Sequence, residues 1–377
     1  MRPSLRIAAA VAGMAFAGCT RSPSPSPAAS AVRIGAVFSL TGNAAAYGAQ
    51  QKAAVQLAVD DVNKGNTLRG LTLELVLEDD GTNPQQGISV FDRLINANKV
   101  SAIIGPTLST LAEAADPRAQ AQKTPVVAVS NTKPNAITTI GDYIWRVSLT
   151  EAQVIPSALA LAREKLGFKT AALLYGDDDA FTKAGFDVMK SALEKAGVKI
   201  LGIQTFSTKD RDFDAQLTAL KGLKPDILLV SALVEQAGSI AVQARQLGYT
   251  GPLMGGNGFN STKFIQLAGP AAEGVLVGTA WNRASQEPVN QAFIAAMKAR
   301  GTDPDQFAAQ AYSGVLVIAE AIRQAGFKGG REDIREGLAK VKDLPTPLGR
   351  FSFLPNRDGD HLAAVQIVRG GKFEILQ

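Results

Sequence analysis

Two loops that follow predicted buried strands carry the side chains best suited to binding a small anion. Residues 105–110 read Gly-Pro-Thr-Leu-Ser-Thr and lead into a helix, and residues 130–132 read Ser-Asn-Thr after the next strand. In open α/β sheets, ligands bind beyond the carboxyl ends of the strands, where loops run into helix N-termini. The hydroxyls and unbonded backbone N–H groups of 105–110 therefore predict a carboxylate site. The alternative for Ser109 is a plain helix N-cap, and one hydroxyl can serve both roles.

Side chains for covalent or metal chemistry are scarce. The chain has one cysteine, Cys19, and one histidine, His361, so it forms no intramolecular disulfide and lacks the usual Cys/His zinc sites. A Ser-His-Asp triad would have to use His361, which we interpret as a structural or surface residue. The sequence holds no phosphate-binding loop and no Gly-x-Ser-x-Gly elbow. The acidic run Asp177–Asp179 is typical of a solvated loop. We therefore expect a protein that is not an enzyme and binds no metal or cofactor.

The composition is that of a folded protein with a mixed-charge surface. Of the 377 residues, 46% are hydrophobic and 19% charged, enough for two domains with ordinary cores. Lysine and arginine number 39 against 34 aspartate and glutamate, a formal net charge of +5. The basic residues are scattered rather than clustered along a path that could follow a phosphate backbone, so we expect no nucleic-acid partner.

The N-terminal segment reads as an export signal followed by a tether. Arg2 and Arg6 precede the apolar run Ile7–Ala17, which is too short to span a bilayer of about 30 Å, so residues 1–18 are predicted to be a signal peptide. Residues 19–31 are rich in proline and serine and are typical of an extended tether. No later stretch has 18 uninterrupted apolar residues, so we expect no transmembrane helix.

The residues before Cys19 resemble the lipobox of bacterial lipoproteins. In that motif the cysteine is acylated and becomes the first residue after cleavage, and here it follows Phe16-Ala17-Gly18. Phe16 departs from the motif, which usually has leucine at this position. The resemblance implies a lipid anchor at Cys19 on the periplasmic or extracellular face of a membrane. The alternative is an ordinary secretory signal cleaved near Ala17, which would leave Cys19 as a free thiol.

Short apolar runs alternate with helix-period segments along most of the chain. This alternation predicts βαβ units, and its interruption near Arg146 predicts two doubly wound lobes. The predicted strands are 32–40, 71–77, 102–104, 126–129, 170–175, 199–205, 227–231 and 253–254, and the predicted helices are 48–62, 84–97, 110–121, 151–166, 182–196, 213–222 and 236–247. Three further helices, 289–300, 306–324 and 332–341, follow one another without strands, which is best explained if they return to the first lobe. The final strands, 350–353, 363–368 and 372–376, are assigned to the second lobe.

The order and spacing of several short motifs resemble the leucine/isoleucine/valine-type substrate-binding proteins of bacterial ABC importers. The motifs span nearly the whole chain after the tether, at Ile34–Gly42, Tyr47-Gly48, Glu78–Asp80, Ile103–Pro106, Pro225–Ile227, Gln243–Gly248 and Ala272–Gly274. The resemblance implies the type I periplasmic binding protein fold, an α/β architecture of two Rossmann-like lobes. Three crossovers, placed near 146–148, 278–281 and 348–350, would join an N-terminal lobe of residues 32–147 and 281–349 to a C-terminal lobe of residues 148–280 and 350–377.

The resemblance also implies a function and a set of ligand contacts. An amino acid or similar solute would be held between the lobes and delivered to the permease and ATPase subunits of an importer. The family's contact positions correspond here to hydroxyl, aromatic and apolar side chains, namely Tyr47, Ser109, Ser130, Thr132, Phe181 and Leu233. For Tyr47 the alternative is a tyrosine packed under its helix. Phe181 replaces a tyrosine found in many members, and Trp281, at a predicted crossover, either touches the ligand or braces the hinge.

Asn257, another predicted ligand contact, departs most from the family pattern. Amino-acid-binding relatives commonly have Glu or Asp at this position to pair with the ligand's α-ammonium. An amide supplies no charge, and a charge-assisted hydrogen bond is roughly twice as strong as a neutral one. Either a nearby carboxylate replaces it, with Glu235 and Asp177–Asp179 as candidates, or the ligand has no ammonium. The second alternative corresponds to a binding protein or sensor for amides, urea-like solutes or aromatic acids.

Overall fold

The computed structural model describes residues 31–376, so the predicted signal peptide, Cys19 and nearly all of the tether lie outside the described residues. The first part of the chain forms β1 (Ala31–Phe38), α1 (Ala45–Lys64), β2 (Thr72–Asp79), α2 (Pro84–Asn96), β3 (Ala102–Ile104), α3 (Ser109–Ala121), β4 (Val126–Ala128), a 3₁₀ turn (Thr138–Ile140) and β5 (Ile144–Arg146). These strands form a parallel sheet in the order β2-β1-β3-β4-β5. Strands β3 and β4 are apolar and buried throughout, as expected of strands buried on both faces of a parallel sheet.

The middle of the chain repeats the same alternation in a second lobe. It forms α4 (Glu151–Leu166), β6 (Thr170–Gly176), α5 (Ala180–Lys195), β7 (Lys199–Phe206), α6 (Asp214–Gly222), β8 (Ile227–Ser231), α7 (Val234–Gln246), β9 (Leu253–Gly255), a 3₁₀ turn (Asn257–Phe259), α8 (Thr262–Ala268), a second 3₁₀ turn (Gly269–Ala272) and β10 (Leu276–Thr279). Strands β6 to β10 pair in parallel. Within residues 31–376, none of the helices combines the length and apolarity needed to cross a bilayer.

The C-terminal part serves both lobes. It forms α9 (Pro288–Ala299), α10 (Gln306–Gln324), α11 (Arg331–Leu338), β11 (Leu344–Thr346), β12 (Gly349–Phe353), β13 (Gly359–Asp360), β14 (Ala364–Arg369) and β15 (Lys372–Ile375). Helix α10 packs on α1 and contributes to the core under the first sheet, and the Tyr312 hydroxyl donates to Asp61 Oδ2 at 2.9 Å. Strand β14 joins the second sheet antiparallel to β10, with β15 as its hairpin partner.

The third crossover lies later than the 348–350 expected from the sequence. Strand β12 pairs with β11 and β13 in a small antiparallel sheet, and its fully buried Phe351 packs in the core of the first lobe. Asp358 pairs with Arg146 at 2.6 Å, and the Arg146 guanidinium is fully buried. Residues 350–360 therefore lie with the first lobe, because the buried guanidinium and the core both hold them there. The chain enters the second lobe only after His361, whose ring contacts the Val147 carbonyl oxygen at 3.2 Å.

Two glycines of the predicted motifs allow close approaches at the edge of the first sheet. A Cβ at Gly48 would lie 2.0 Å from the carbonyl oxygen of Ser39, so only glycine lets α1 begin against the end of β1. Gly105 has a φ of +113°, and a Cβ there would lie 2.1 Å from the Val37 carbonyl oxygen. Both glycines bring a loop or helix N-terminus against the carboxyl end of β1.

Candidate functional site

The carboxyl ends of the two sheets face each other, and the loops that follow the strands enclose a small cavity between the lobes. Its volume is about 10 Å³, close to the space needed for one water molecule. It is lined by Tyr47, Thr107, Leu108, Ser109, Ser130, Phe181, Leu233, Asn257, Gly258 and Phe307. Six of the seven predicted ligand contacts are therefore at one place. The seventh, Thr132, lies beside the cavity, where its hydroxyl donates to Glu151 at 3.2 Å.

Ser109 is positioned by the start of α3. Leu108 occupies the N-cap position and Ser109 the first helical position, so Ser109 does not cap the helix through its side chain. The Ser109 Oγ accepts from the backbone N–H of Lys133 at 3.3 Å, and within residues 31–376 its own proton has no acceptor. A hydroxyl proton and the uncapped first turn of a helix thus face the cavity together. This arrangement suits a carboxylate.

Ser130 and Thr107 belong to a buried network that holds the two loops together. The Ser130 hydroxyl donates to the Thr107 carbonyl oxygen at 2.6 Å and accepts from Gln51 Nε2 at 2.8 Å. The Thr107 hydroxyl donates to Gln51 Oε1 at 2.7 Å and accepts from the backbone of Ser39. Ser130 has therefore already used its proton, and it can offer a ligand only its remaining lone pair.

Aromatic and apolar side chains from both lobes form the remaining walls. The ring of Tyr47 packs on Phe307 with centroids 4.2 Å apart, and its hydroxyl donates to the Gly258 carbonyl oxygen in the other lobe at 2.7 Å. Burial raises the pKa of Tyr47 well above its ordinary value, so the hydroxyl stays protonated. Phe181 and Leu233 approach from the second lobe. Phe307 was not predicted, because it lies in the first turn of a helix at least 175 residues from the predicted first-lobe contact loops.

The amide of Asn257 has a defined orientation. Gln306 Oε1 accepts from the backbone N–H of Ala280 at 2.7 Å, so Gln306 must present its Nε2 donor to Asn257. Asn257 Oδ1 receives that donor, which leaves Asn257 Nδ2 as the group that is not engaged by Gln306. Asn257 thus offers the cleft a donor, which suits a carbonyl or carboxylate rather than an ammonium.

The carboxylates that were predicted to replace the acidic residue absent at Asn257 lie at different places. Asp177 and Asp178 are exposed, and Asp178 accepts from Ser207 and Thr208 in its own lobe. Asp179 is the buried N-cap of α5 and accepts from the Thr110 hydroxyl across the cleft. Glu235 is in the first turn of α7, half-buried and outside the residues that line the cavity.

A carboxylate that sequence reasoning missed lies next to Asn257. Glu151, the first residue of α4, is buried, and its Oε1 accepts from Thr132 Oγ1 at 3.2 Å and from the backbone N–H of Asn257 at 3.3 Å. Burial raises the pKa of Glu151 to about 7, although both hydrogen bonds favour the ionised form. In the sequence, Glu151 reads as an ordinary acidic residue of a helix first turn, where it complements the helix dipole. No local feature of the sequence indicated that Glu151 would contact Thr132 of the first lobe.

Several hydrogen bonds hold the lobes together around the cavity. The Ser261 hydroxyl donates to Asp305 Oδ2 at 2.9 Å, and Asn43 Nδ2 donates to the Thr208 carbonyl oxygen at 3.2 Å. Trp281 is buried in the first-lobe core and donates from Nε1 to Asn290 Oδ1 at 2.8 Å, so it braces the crossover.

A cavity of about 10 Å³ admits no organic solute, so a ligand enters only if the lobes separate. Residues 31–376 contain no group of three or more His, Cys, Asp or Glu side chains placed to hold a metal ion.

Comparison with known proteins agrees with this arrangement of lobes and cleft. A family model described as periplasmic binding protein matches residues 31–372. The chain belongs to the periplasmic binding protein family. This is a family of solute-binding proteins rather than enzymes, and its name places its members outside the cytoplasm. The family resemblance and the type I fold predicted from the motifs are confirmed.

The relatives of this periplasmic binding protein differ in the ligands named for them. It is 29% identical over 349 residues to the leucine-, isoleucine-, valine-, threonine- and alanine-binding protein of Pseudomonas aeruginosa, a match that covers 92% of this chain and 91% of that protein. It is similar to the structure of the branched-chain amino acid transporter substrate binding protein LivJ from Streptococcus pneumoniae in complex with isoleucine, with a TM-score of 0.86, 28% identity and coverage of 92% and 99%. A solute binding protein of an ABC transporter from Rhodopseudomonas palustris, in complex with 3,4-dihydroxybenzoic acid, gives a TM-score of 0.83, 25% identity and coverage of 91% and 95%.

Proposed function

We propose that this protein is the substrate-binding lipoprotein of an ABC importer and captures a branched-chain or related amino acid between its lobes. The observation that carries the proposal is a cleft with a carboxylate-binding wall at Ser109 and the α3 N-terminus, opposite apolar walls from Phe181, Leu233 and Phe307. A branched-chain amino acid needs both kinds of wall, because its α-carboxylate is charged and its side chain is apolar. The relatives that bind branched-chain amino acids support the same choice.

Capture is coupled to closure of the lobes. The ligand carboxylate binds the first lobe, and the apolar side chain is covered by residues of both lobes, so contacts with both walls form only in the closed state. A ligand shifts the equilibrium towards the state to which it binds more tightly. The closed state, held by pairs such as Ser261 with Asp305, then presents one continuous surface for a permease to recognise.

A thermal-shift screen tests the proposed ligand class. Amino acids, small amides, urea and aromatic acids are each added to the purified protein. A ligand present at 100 times its dissociation constant stabilises the folded state by about 2.7 kcal/mol. We expect leucine, isoleucine or valine to raise the melting temperature most. A rise with urea or aromatic acids but with no amino acid would contradict the proposal.

Lipid anchoring at Cys19 is tested separately from ligand binding. We expect the full chain to fractionate with membranes when expressed in a bacterium and to carry an acylated Cys19, and we expect Cys19→Ala to abolish the acylation. Mass spectrometry of the mature N-terminus provides the measurement. An unmodified Cys19 in the mature protein would support the alternative of a simple secretory signal.

A second candidate is a binding protein or sensor for aromatic acids. The observation that favours it is the donor that Asn257 offers the cleft, together with the absence of a hydroxyl on Phe181. The relative from Rhodopseudomonas palustris with bound 3,4-dihydroxybenzoic acid has the same fold. Neighbouring permease and ATPase genes would favour import over sensing, and the thermal-shift screen separates the two ligand classes.

A further inference from the structure

The amino-acid proposal leaves one charge without a partner. An α-ammonium needs a carboxylate when it is taken out of water, and Asn257 instead presents its Nδ2 donor. Of the carboxylates predicted to replace it, Asp178 is exposed and bonded within its own lobe. Asp179 is occupied as a helix N-cap that also accepts from Thr110.

Glu151 lies between two of the predicted ligand contacts. Its Oε1 is 3.2 Å from the Thr132 hydroxyl in the first lobe and 3.3 Å from the Asn257 nitrogen in the second. Lys133, the residue after Thr132, donates its backbone N–H to the Ser109 hydroxyl oxygen. The carboxylate site at Ser109 and the carboxylate of Glu151 are thus separated by a single short stretch of backbone. An α-amino acid, whose ammonium and carboxylate groups are both bonded to one carbon, matches such a pair.

The second oxygen of Glu151 is buried and has no hydrogen-bond partner among the described residues. Gly256, whose Cα position is close to this oxygen, has no side chain that could donate to it. The Met189 methyl and Glu151 Oε2 lie 3.4 Å and 3.5 Å from the position that a Gly256 Cβ would take. An unpaired buried carboxylate oxygen is costly, and each such group in a folded protein calls for an explanation. Glu151 is adjacent to Asn257 but does not itself line the cavity of the closed lobes, so a ligand that donates N–H bonds to Oε2 removes this cost only once separation of the lobes opens the cleft to it.

We propose that Glu151 supplies the negative charge that pairs with the ligand's α-ammonium, in place of the acidic residue absent at Asn257. This rests on the proposed amino-acid-binding function. Thr132 then acts with Glu151, because its hydroxyl orients Oε1 while Oε2 remains for the ligand. The protein selects zwitterions over acids that lack an amino group through Glu151.

Calorimetric titration with L-leucine and with 4-methylpentanoate tests this assignment. The second compound has the same carboxylate and side chain but no ammonium. We expect Glu151→Gln, which keeps an acceptor for Thr132, to weaken leucine binding about 10–100-fold and to change 4-methylpentanoate binding much less. Glu164→Gln, the same change at an exposed position of α4, is the matched control and should affect neither.

A second variant separates the charge from the local structure. Asn257→Asp retains an oxygen to accept from Gln306, so we expect Glu151→Gln/Asn257→Asp to recover leucine affinity at least tenfold over Glu151→Gln alone. Equal losses for both compounds, or leucine binding unchanged in Glu151→Gln, would overturn the inference while the amino-acid function stands. Failure of the unmodified protein to bind any amino acid would overturn the proposed function and the inference with it.

The pH dependence gives an independent readout. Burial raises the pKa of Glu151 to about 7, so below that pH the free protein holds a proton that an ammonium must displace into solvent. Leucine affinity should therefore fall as the pH drops below 7, up to about tenfold per unit.

The groups that face the Glu151 carboxylate are the Thr132 hydroxyl, the Asn257 N–H, Gly256 and Met189, and none of them is charged. Asp305 and Asp179 at the same interface also have pKa values raised by burial. Only the part of the pH dependence that disappears in Glu151→Gln is assigned to Glu151, and an unchanged profile would contradict the proposal.

Discussion

Replacing Ser109 by alanine is expected to weaken binding of an α-carboxylate ligand by about 1.5–3 kcal/mol, the range of a hydrogen bond to a charged group. The Ser109 hydroxyl accepts from Lys133 and keeps its proton for the ligand. The first-turn N–H groups of α3 remain after the substitution, so binding is reduced and not abolished. Calorimetric titration of the variant and the unmodified protein with the same amino acid gives the difference directly.

The matched control for Ser109→Ala is Ser89→Ala, an exposed serine of α2 in the same lobe. It should leave the affinity unchanged. Ser109→Ala should lower the unfolding free energy by only about 1 kcal/mol, because it removes the acceptor of the Lys133 N–H but no helix cap, since Leu108 occupies the N-cap of α3. Equal affinity in Ser109→Ala and the unmodified protein would mean that the carboxylate binds elsewhere.

Replacing Asp358 by alanine is expected to lower the free energy of unfolding by about 3–5 kcal/mol. Asp358 Oδ1 accepts from Arg146 Nε at 2.9 Å and Nη2 at 2.6 Å, and the arginine is fully buried. Removal of the carboxylate leaves an uncompensated charge in the core beside the crossover. Arg146 also donates from Nη1 to the carbonyl oxygens of Asn131 and Lys133, so the variant should loosen the loop that carries Thr132.

Urea unfolding monitored by circular dichroism measures the effect of Asp358→Ala. The double variant Arg146→Met/Asp358→Ala is its control, because a buried ion pair costs less to remove whole than to break. We expect the double variant to be more stable than Asp358→Ala alone. If the two variants were equally unstable, the loss would come from packing rather than from the unpaired guanidinium.

The lobes could be predicted from the sequence because their signals are local. Strands such as β3 and helices such as α4 follow from apolar runs and periodicity, and α4 also has the capping box formed by Thr150 and Gln153. The third crossover could not be placed in the same way. The sequence of β12 indicates a strand but not the sheet that the strand joins, and only the burial of Phe351 and the pairing of Asp358 with Arg146 assign it to the first lobe.

The cleft could be predicted only where its residues belong to local sequence motifs. Ser109 and Asn257 were identified by motif position, and both line the cavity. Phe307 and Glu151 were not, because each reads locally as an ordinary first-turn residue of a helix. Their roles arise from contacts over long sequence separations, such as the 106 residues between Glu151 and Asn257. A departure from a family motif shows which charge is missing, whereas the residue that replaces it becomes visible only in the folded chain.

Calorimetric titration of the purified protein with L-leucine tests amino-acid capture most directly. We predict saturable binding of one leucine per chain that is weakened by Ser109→Ala and unaffected by Ser89→Ala. Saturable binding of benzoate or urea, with no detectable binding of leucine, isoleucine or valine, would contradict it.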